Sequence, residues 1–365
     1  MSVLGSHHRL VLPLSGILSV GVLFLLIAPA AMASSVSSSS LHVVATCTET
    51  RDPEYLAYDP ADKELYIPNY YDGNVSIVSA PCDFASSNID LGNPSLLLPT
   101  AAAYDPQNHT IYVTDDVANA EVPGVWGIRG SHLVSEWSDF GYGLNEANGI
   151  LYDPMLGANR YPTSPGGMIV ADSGNNTLSE VSTDHGYLGN VALTTRQAAV
   201  SYLAYDAGAN TLAVMGFNVD NVTILNGTTL AVVAVVPVGE SPAGAAYDPA
   251  DHDFYVANIV SDNVSVLNGS TGSLVGTISS AALSEPRSLA YSAKAKAVFL
   301  VNSVNKKVGQ TTFIFELKGT KISAKIMTGA DAVVGLAYDS SNDDLYETSW
   351  DIAADYSPGV VAVGS

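Results

Sequence analysis

The sequence predicts an all-β fold: a seven-bladed β-propeller of four-stranded antiparallel blades, closed by an N-terminal strand pairing with the last blade. Three observations carry that expectation. A tyrosine that ends a short apolar run recurs seven times, at Tyr58, Tyr104, Tyr152, Tyr205, Tyr247, Tyr291 and Tyr338. The intervals are 46, 48, 53, 42, 44 and 47 residues, the length of a four-stranded propeller blade. Within each interval, short valine-rich runs alternate with turn residues, as antiparallel strands do.

The copy from Ser241 to Ile278 shows the elements most plainly. Ala245–Tyr247 is a first strand, stopped by Asp248-Pro249, where the Asp side chain bonds backbone two residues on and Pro presets φ. Phe254–Ala257 is a second strand, Asn258–Asn263 a polar connection, Val264–Leu267 a third strand and Ser273–Ile278 a fourth. Asp follows six of the seven tyrosines and Ser292 the other, while Ala precedes six and Leu151 the other. A small residue suits innermost strands that crowd together near an axis. Second strands end at Asn69, Asp115, Asp172, Gly216, Asn258, Asn302 and Ser349.

With its AYDP and YVAN motifs, the chain from Leu41 to the C-terminus resembles the YVTN family of β-propeller repeats, common in secreted and surface-layer proteins of archaea and some bacteria. Gly216, Ser292 and Ser349 depart from the motifs. The resemblance implies a binding or structural module at the cell surface, with a cell-envelope protein or glycan as partner and self-assembly into a lattice as a further expectation.

Taken in order, residues 1–33 read as a secretory signal peptide: His7, His8 and Arg9, an apolar run from Leu10 to Ile27, and Ala31-Met32-Ala33 as a small-x-small cleavage pattern. An uncleaved anchor is the alternative, because the run is long enough to reach the lower limit of a membrane span. Residues 34–40 form a serine-rich tether and residues 41–365 the propeller. Pro53–Leu98 is the first blade, and the third copy carries a Gly/Pro-rich insertion, Met155–Gly167. The sixth holds seven lysines, from Lys294 to Lys325, read as a solvated face. The last copy has only three strands, the third at Val360–Val363, so Leu41–Thr46 is expected to pair beside it and cover an open edge.

A net charge of −22 with only 14 Lys and Arg argues against nucleic acid, whose phosphates require clustered cations. Charged residues make up 14% of the chain, against roughly 25% in typical domains. Two readings stand: adaptation to an acidic medium, where protonation relieves carboxylate repulsion, or an ordinary acidic secreted protein. Cys47 and Cys82 are expected to form one disulfide across the closure seam, as an exported chain permits. Seven Asn-x-Ser/Thr sequons, at Asn74, Asn108, Asn175, Asn221, Asn226, Asn263 and Asn268, are candidate glycan acceptors.

The mouth of a propeller's channel is the expected ligand place. Its candidates are Glu54, Thr100, Asn148, Ser201, Ala243, Arg287 and Val334 at the starts of first strands, joined by Asn69, Asp115, Asp172, Asn258 and Asn302. Such oxygen ligands suit Ca2+, yet Asn and Asp recurring at strand ends also cap turns; no cofactor is otherwise implied. A metal-dependent lactonase or lyase at this mouth is the alternative function. The histidines are scattered, and no hydrolase elbow, phosphate loop or paired-histidine zinc motif occurs, so no catalytic residue is assigned.

Overall fold

In the computed structural model, residues 42–47, 52–79, 88–92, 97–117, 124–136, 144–158, 166–183, 186–193, 200–302, 313–328, 332–349 and 359–364 are described. Among them the valine-rich runs form 28 strands in seven four-stranded antiparallel sheets, with no helix. Six sheets take four consecutive strands. The seventh takes Val333–Asp339, Asp344–Ser349, Gly359–Gly364 and then the N-terminal strand His42–Cys47. His42 lies opposite Gly364 and Cys47 opposite Val360 in that last antiparallel pair.

The recurring Tyr-Asp pair works through local hydrogen bonds. The Oδ1 atoms of Asp59, Asp105, Asp153, Asp206, Asp248 and Asp339 each accept an N–H from the residue two positions on, at 2.7–2.8 Å. Ser292 Oγ substitutes, accepting from the Ala295 N–H at 3.1 Å. The residue that closes the turn then adopts positive φ in six sheets: Lys63, His109, Asn210, His252, Lys296 and Asp343. Such a conformation costs a non-glycine residue roughly 1 kcal/mol. In four of the six, the repeat tyrosine hydroxyl bonds that residue's side chain: Tyr104 with His109, Tyr205 with Asn210, Tyr247 with His252 and Tyr338 with Asp343. His109 and His252 are thus turn residues engaged by tyrosine.

Six of the seven first strands, seven residues each, are longer than the apolar runs that mark them, as Pro242–Asp248 of the fifth sheet is, while Ala57–Asp59 of the first sheet is three residues. Each lies against the first strand of the next sheet, and Ala57–Asp59 of the first sheet touches both Pro99–Asp105 and Val333–Asp339. Approach between these strands is close enough that a Cβ on Gly149 would collide with the Ser201 carbonyl, and one on Gly244 with the Arg287 carbonyl. Seven apolar clusters fill the seven meetings of adjacent sheets. Tyr255 and Ala257 of the fifth sheet pack on Val298 and Leu300 of the sixth. Tyr346 of the seventh packs on Leu56, Leu65 and Ile67 of the first. Thr348 Oγ1 donates to the Glu54 carbonyl at 2.8 Å, a polar link between the same two sheets.

The proposed signal peptide and tether lie outside the described residues, as do Cys82 and the side chain of Cys47, so the disulfide remains an expectation.

Candidate functional site

Five first strands, and the segment leading into a sixth, bring one residue each to a common cavity of about 500 Å³: Thr100, Asn148, Ser201, Ala243 and Arg287 from strands, and Glu54 from just ahead of Ala57–Asp59. They occupy the same place in six copies, so one local rule, a strand that begins at the same end of every sheet, assembles the wall. Val334, the seventh equivalent, is fully buried and does not line it.

Asp115 and Asp172 stand apart from the cavity lining, and their carboxylates serve the backbone. Asp115 Oδ1 accepts from the amides of Leu98 and Val117 at 3.0 and 2.9 Å. Asp172 Oδ1 accepts from Asn145 and Asn175 N–H, and its Oδ2 from the Asn175 Nδ2 at 2.9 Å. Asn69 and Asn258 likewise donate inward, to Asn74 and Ser76, and to Asn263 and Ser265. Asn302 donates to the Ala282 carbonyl. What lines the cavity is the next residue in five copies: Tyr70, Asp116, Ser173, Phe217 and Ile259. The offset has a simple cause, since successive residues leaving a strand point to opposite sides.

Two further lining residues carry no signal in any single copy. The position after the mouth residue is Tyr55, Ala101, Gly149, Tyr202, Gly244, Ser288 and Gly335 in the seven copies. Five are small, as close strands demand; Tyr55 of the first sheet and Tyr202 of the fourth are not. These two rings, from sheets that do not follow one another, meet with centroids 4.8 Å apart and planes tilted by 58°. That is a favourable aromatic geometry.

Polar contacts fix much of the remaining wall. Asn148 Nδ2 donates to Ser173 Oγ at 2.7 Å, which donates to the Val200 carbonyl at 3.0 Å. Thr100 Oγ1 donates to the Ala147 carbonyl at 3.2 Å. The Tyr70 hydroxyl reaches Asp116 at 3.5 Å. By contrast, the Ser201 hydroxyl is buried with no protein hydrogen-bond partner, while the Tyr55 hydroxyl lies beside Tyr202 and Arg287.

Burial sets the charge of the site. Glu54 is 6% exposed, and desolvation pushes its pKa up to about 8 although Arg287 opposes the change; Asp116 and Asp52 add to it. Asp116 is raised to about 6, by burial and then by Glu146. Asp115, behind the wall, is raised to about 7 by burial against its two amide bonds. Burial works to lower the Arg287 pKa, but Tyr55, Tyr202, Glu54 and Glu285 outweigh it and hold it above its ordinary value. Among the described residues no three His, Cys, Asp or Glu side chains gather as a metal site.

The sequons are all among the described residues. Asn175 is exposed and the others half-buried. Asn226 and Asn268 Oδ1 each cap the turn that follows, accepting from Thr228 and Thr229, and from Thr271.

Neither a protein-family model nor a curated protein matches this chain.

Proposed function

We propose that the seven sheets are the blades of a closed β-propeller of the YVTN type, sealed by the N-terminal strand, and that it is a secreted binding module of the cell surface. Its ligand is a glycan of the envelope or of a neighbouring protein, held in the cavity at one end of the first strands. One observation carries this reading: the cavity sets an aromatic pair, Tyr55 and Tyr202, among hydrogen-bonding side chains delivered by several blades. A sugar ring has an apolar C–H face that packs on an aromatic ring and a rim of hydroxyls that need both donors and acceptors. Asn148, Thr100, Glu54 and Asp116 supply both. The volume lies within the roughly 300–1,000 Å³ of small-ligand pockets.

Binding of the mature protein to a panel of glycans tests the proposal. Retention of a glycan class, lost in Tyr202→Ala while the melting temperature shows a folded protein, is the expected result. A folded protein that retains none refutes it.

Glu54 favours a second reading. A buried carboxyl with a pKa near neutrality inside a cavity is suited to general base work, as a lactonase or lyase needs. A Ca2+-dependent rise in melting temperature, abolished in Glu54→Gln, would support that reading; indifference to Ca2+ and to chelator counts against its metal-dependent form.

A further inference from the structure

The cavity's hydrogen-bonding groups are divided unevenly. Asp116 lies with Tyr70 and Asn148 and feels Glu146. On another side, Arg287 lies beside Tyr55, Tyr202 and Glu54. It is the one cation lining the cavity among the described residues. Ser201, a lining residue of the same cavity that is only 8% exposed, has a hydroxyl with no protein hydrogen-bond partner. A buried hydroxyl without a partner is unfavourable, so it points to a ligand that accepts from it. A guanidinium presents parallel N–H donors whose spacing fits the two oxygens of a carboxylate.

We propose that the cavity holds a carboxylate subsite: the glycan it takes is an acidic sugar, its carboxylate held by Arg287 and by the Ser201 hydroxyl. The inference rests on the glycan reading above and narrows it. The remaining charges set its pH dependence. Glu54, Asp52 and Asp116 line the cavity; Glu285 lies near Arg287, and Glu146 near Asp116. Glu54 and Asp116, with pKa values of about 8 and about 6, lose charge as pH falls toward 5. A sugar carboxylate, with an ordinary pKa of roughly 3.5, stays ionised there. Repulsion within the site therefore falls while the attraction to Arg287 persists, and acidic sugars bind more tightly at pH 5 than at pH 8.

Calorimetric titration of the mature chain with trigalacturonate, with its methyl ester and with neutral galactotriose, at pH 5 and pH 8, tests this. A charge-assisted contact predicts a roughly 10- to 100-fold preference for the acid over the ester at pH 5, smaller at pH 8. Arg287→Met removes the preference. Ser201→Ala, which deletes a hydroxyl with no protein partner, lowers acid affinity roughly 5- to 10-fold without lowering the melting temperature. Equal binding of acid, ester and neutral sugar overturns the carboxylate subsite and leaves the glycan reading standing. No binding of these three or of any panel glycan overturns both.

Discussion

Glu347 gives the sharpest prediction. It stands in the second strand of the seventh sheet, paired with Leu336, where the other copies carry Ile67, Val113, Val170, Val214, Val256 and Leu300. All seven are 0% exposed, so the Glu347 carboxyl is sealed from water. Burial raises its pKa from 4.5 to about 8, opposed only by the nearby Thr328 side chain. Below pH 4.5 the group is protonated in folded and unfolded chains alike, and its contribution to stability is fully present. As pH climbs toward 8 the unfolded chain ionises and the folded chain resists, so stability is lost. A difference of about 3.5 pH units, at about 1.4 kcal/mol each, sets a ceiling of about 5 kcal/mol by pH 9. For a unit of about 330 residues, Ser38–Ser365, that is roughly 7 °C in melting temperature. Glu347→Gln mimics the protonated carboxyl. By differential scanning calorimetry it should match the native chain at pH 4 and melt up to about 7 °C higher at pH 9. Melting curves for the two proteins that stay parallel from pH 4 to pH 9 would refute the reasoning.

Three further outcomes follow from the same structure. Gly244→Ala drives a Cβ into the Arg287 carbonyl; overpacking of roughly 1–3 kcal/mol should lower the melting temperature by about 2–4 °C, and an unchanged value contradicts the close approach of first strands. Deleting residues 41–47 removes the fourth strand of the last sheet and bares the edge of Gly359–Gly364; the product should melt lower and aggregate, whereas a stable monomer on size-exclusion chromatography rejects the closure. Thiol titration of the unfolded, unreduced mature protein should find no free thiol at Cys47 or Cys82. Reduction should then cost about 3–4 kcal/mol; two reactive thiols dismiss the disulfide.

Local signals were legible and global ones were not. Asp248 followed by Pro249 announces its own turn because the bond it makes spans two residues, and the ends of all seven second strands fall where the motif places them. Six of the seven proposed first-strand mouth residues, from Glu54 to Arg287, do line one cavity, because a repeat turns one residue's position into seven. The motif places Asp115 and Asp172 at the same mouth, but the Oδ1 of each caps backbone amides, and the next residue lines the cavity instead. Tyr55 and Tyr202 are 147 residues apart, and only their placement from separate sheets makes them one aromatic pair. Glu347 was visible in principle as a carboxylate at an otherwise aliphatic repeat position; what burial does to it required the neighbouring sheet. The same carboxylates bear on the acidic-medium reading: Glu54, Asp115, Asp116, Asp153 and Glu347 are all raised by burial, so acid costs the fold little through them.

The most direct test of the ligand site is a crystal of the mature chain soaked in trigalacturonate. Density for a sugar against Tyr55 and Tyr202, with its carboxylate at Arg287, is the predicted result. An unoccupied cavity, or a sugar bound only elsewhere on the surface, would contradict the account.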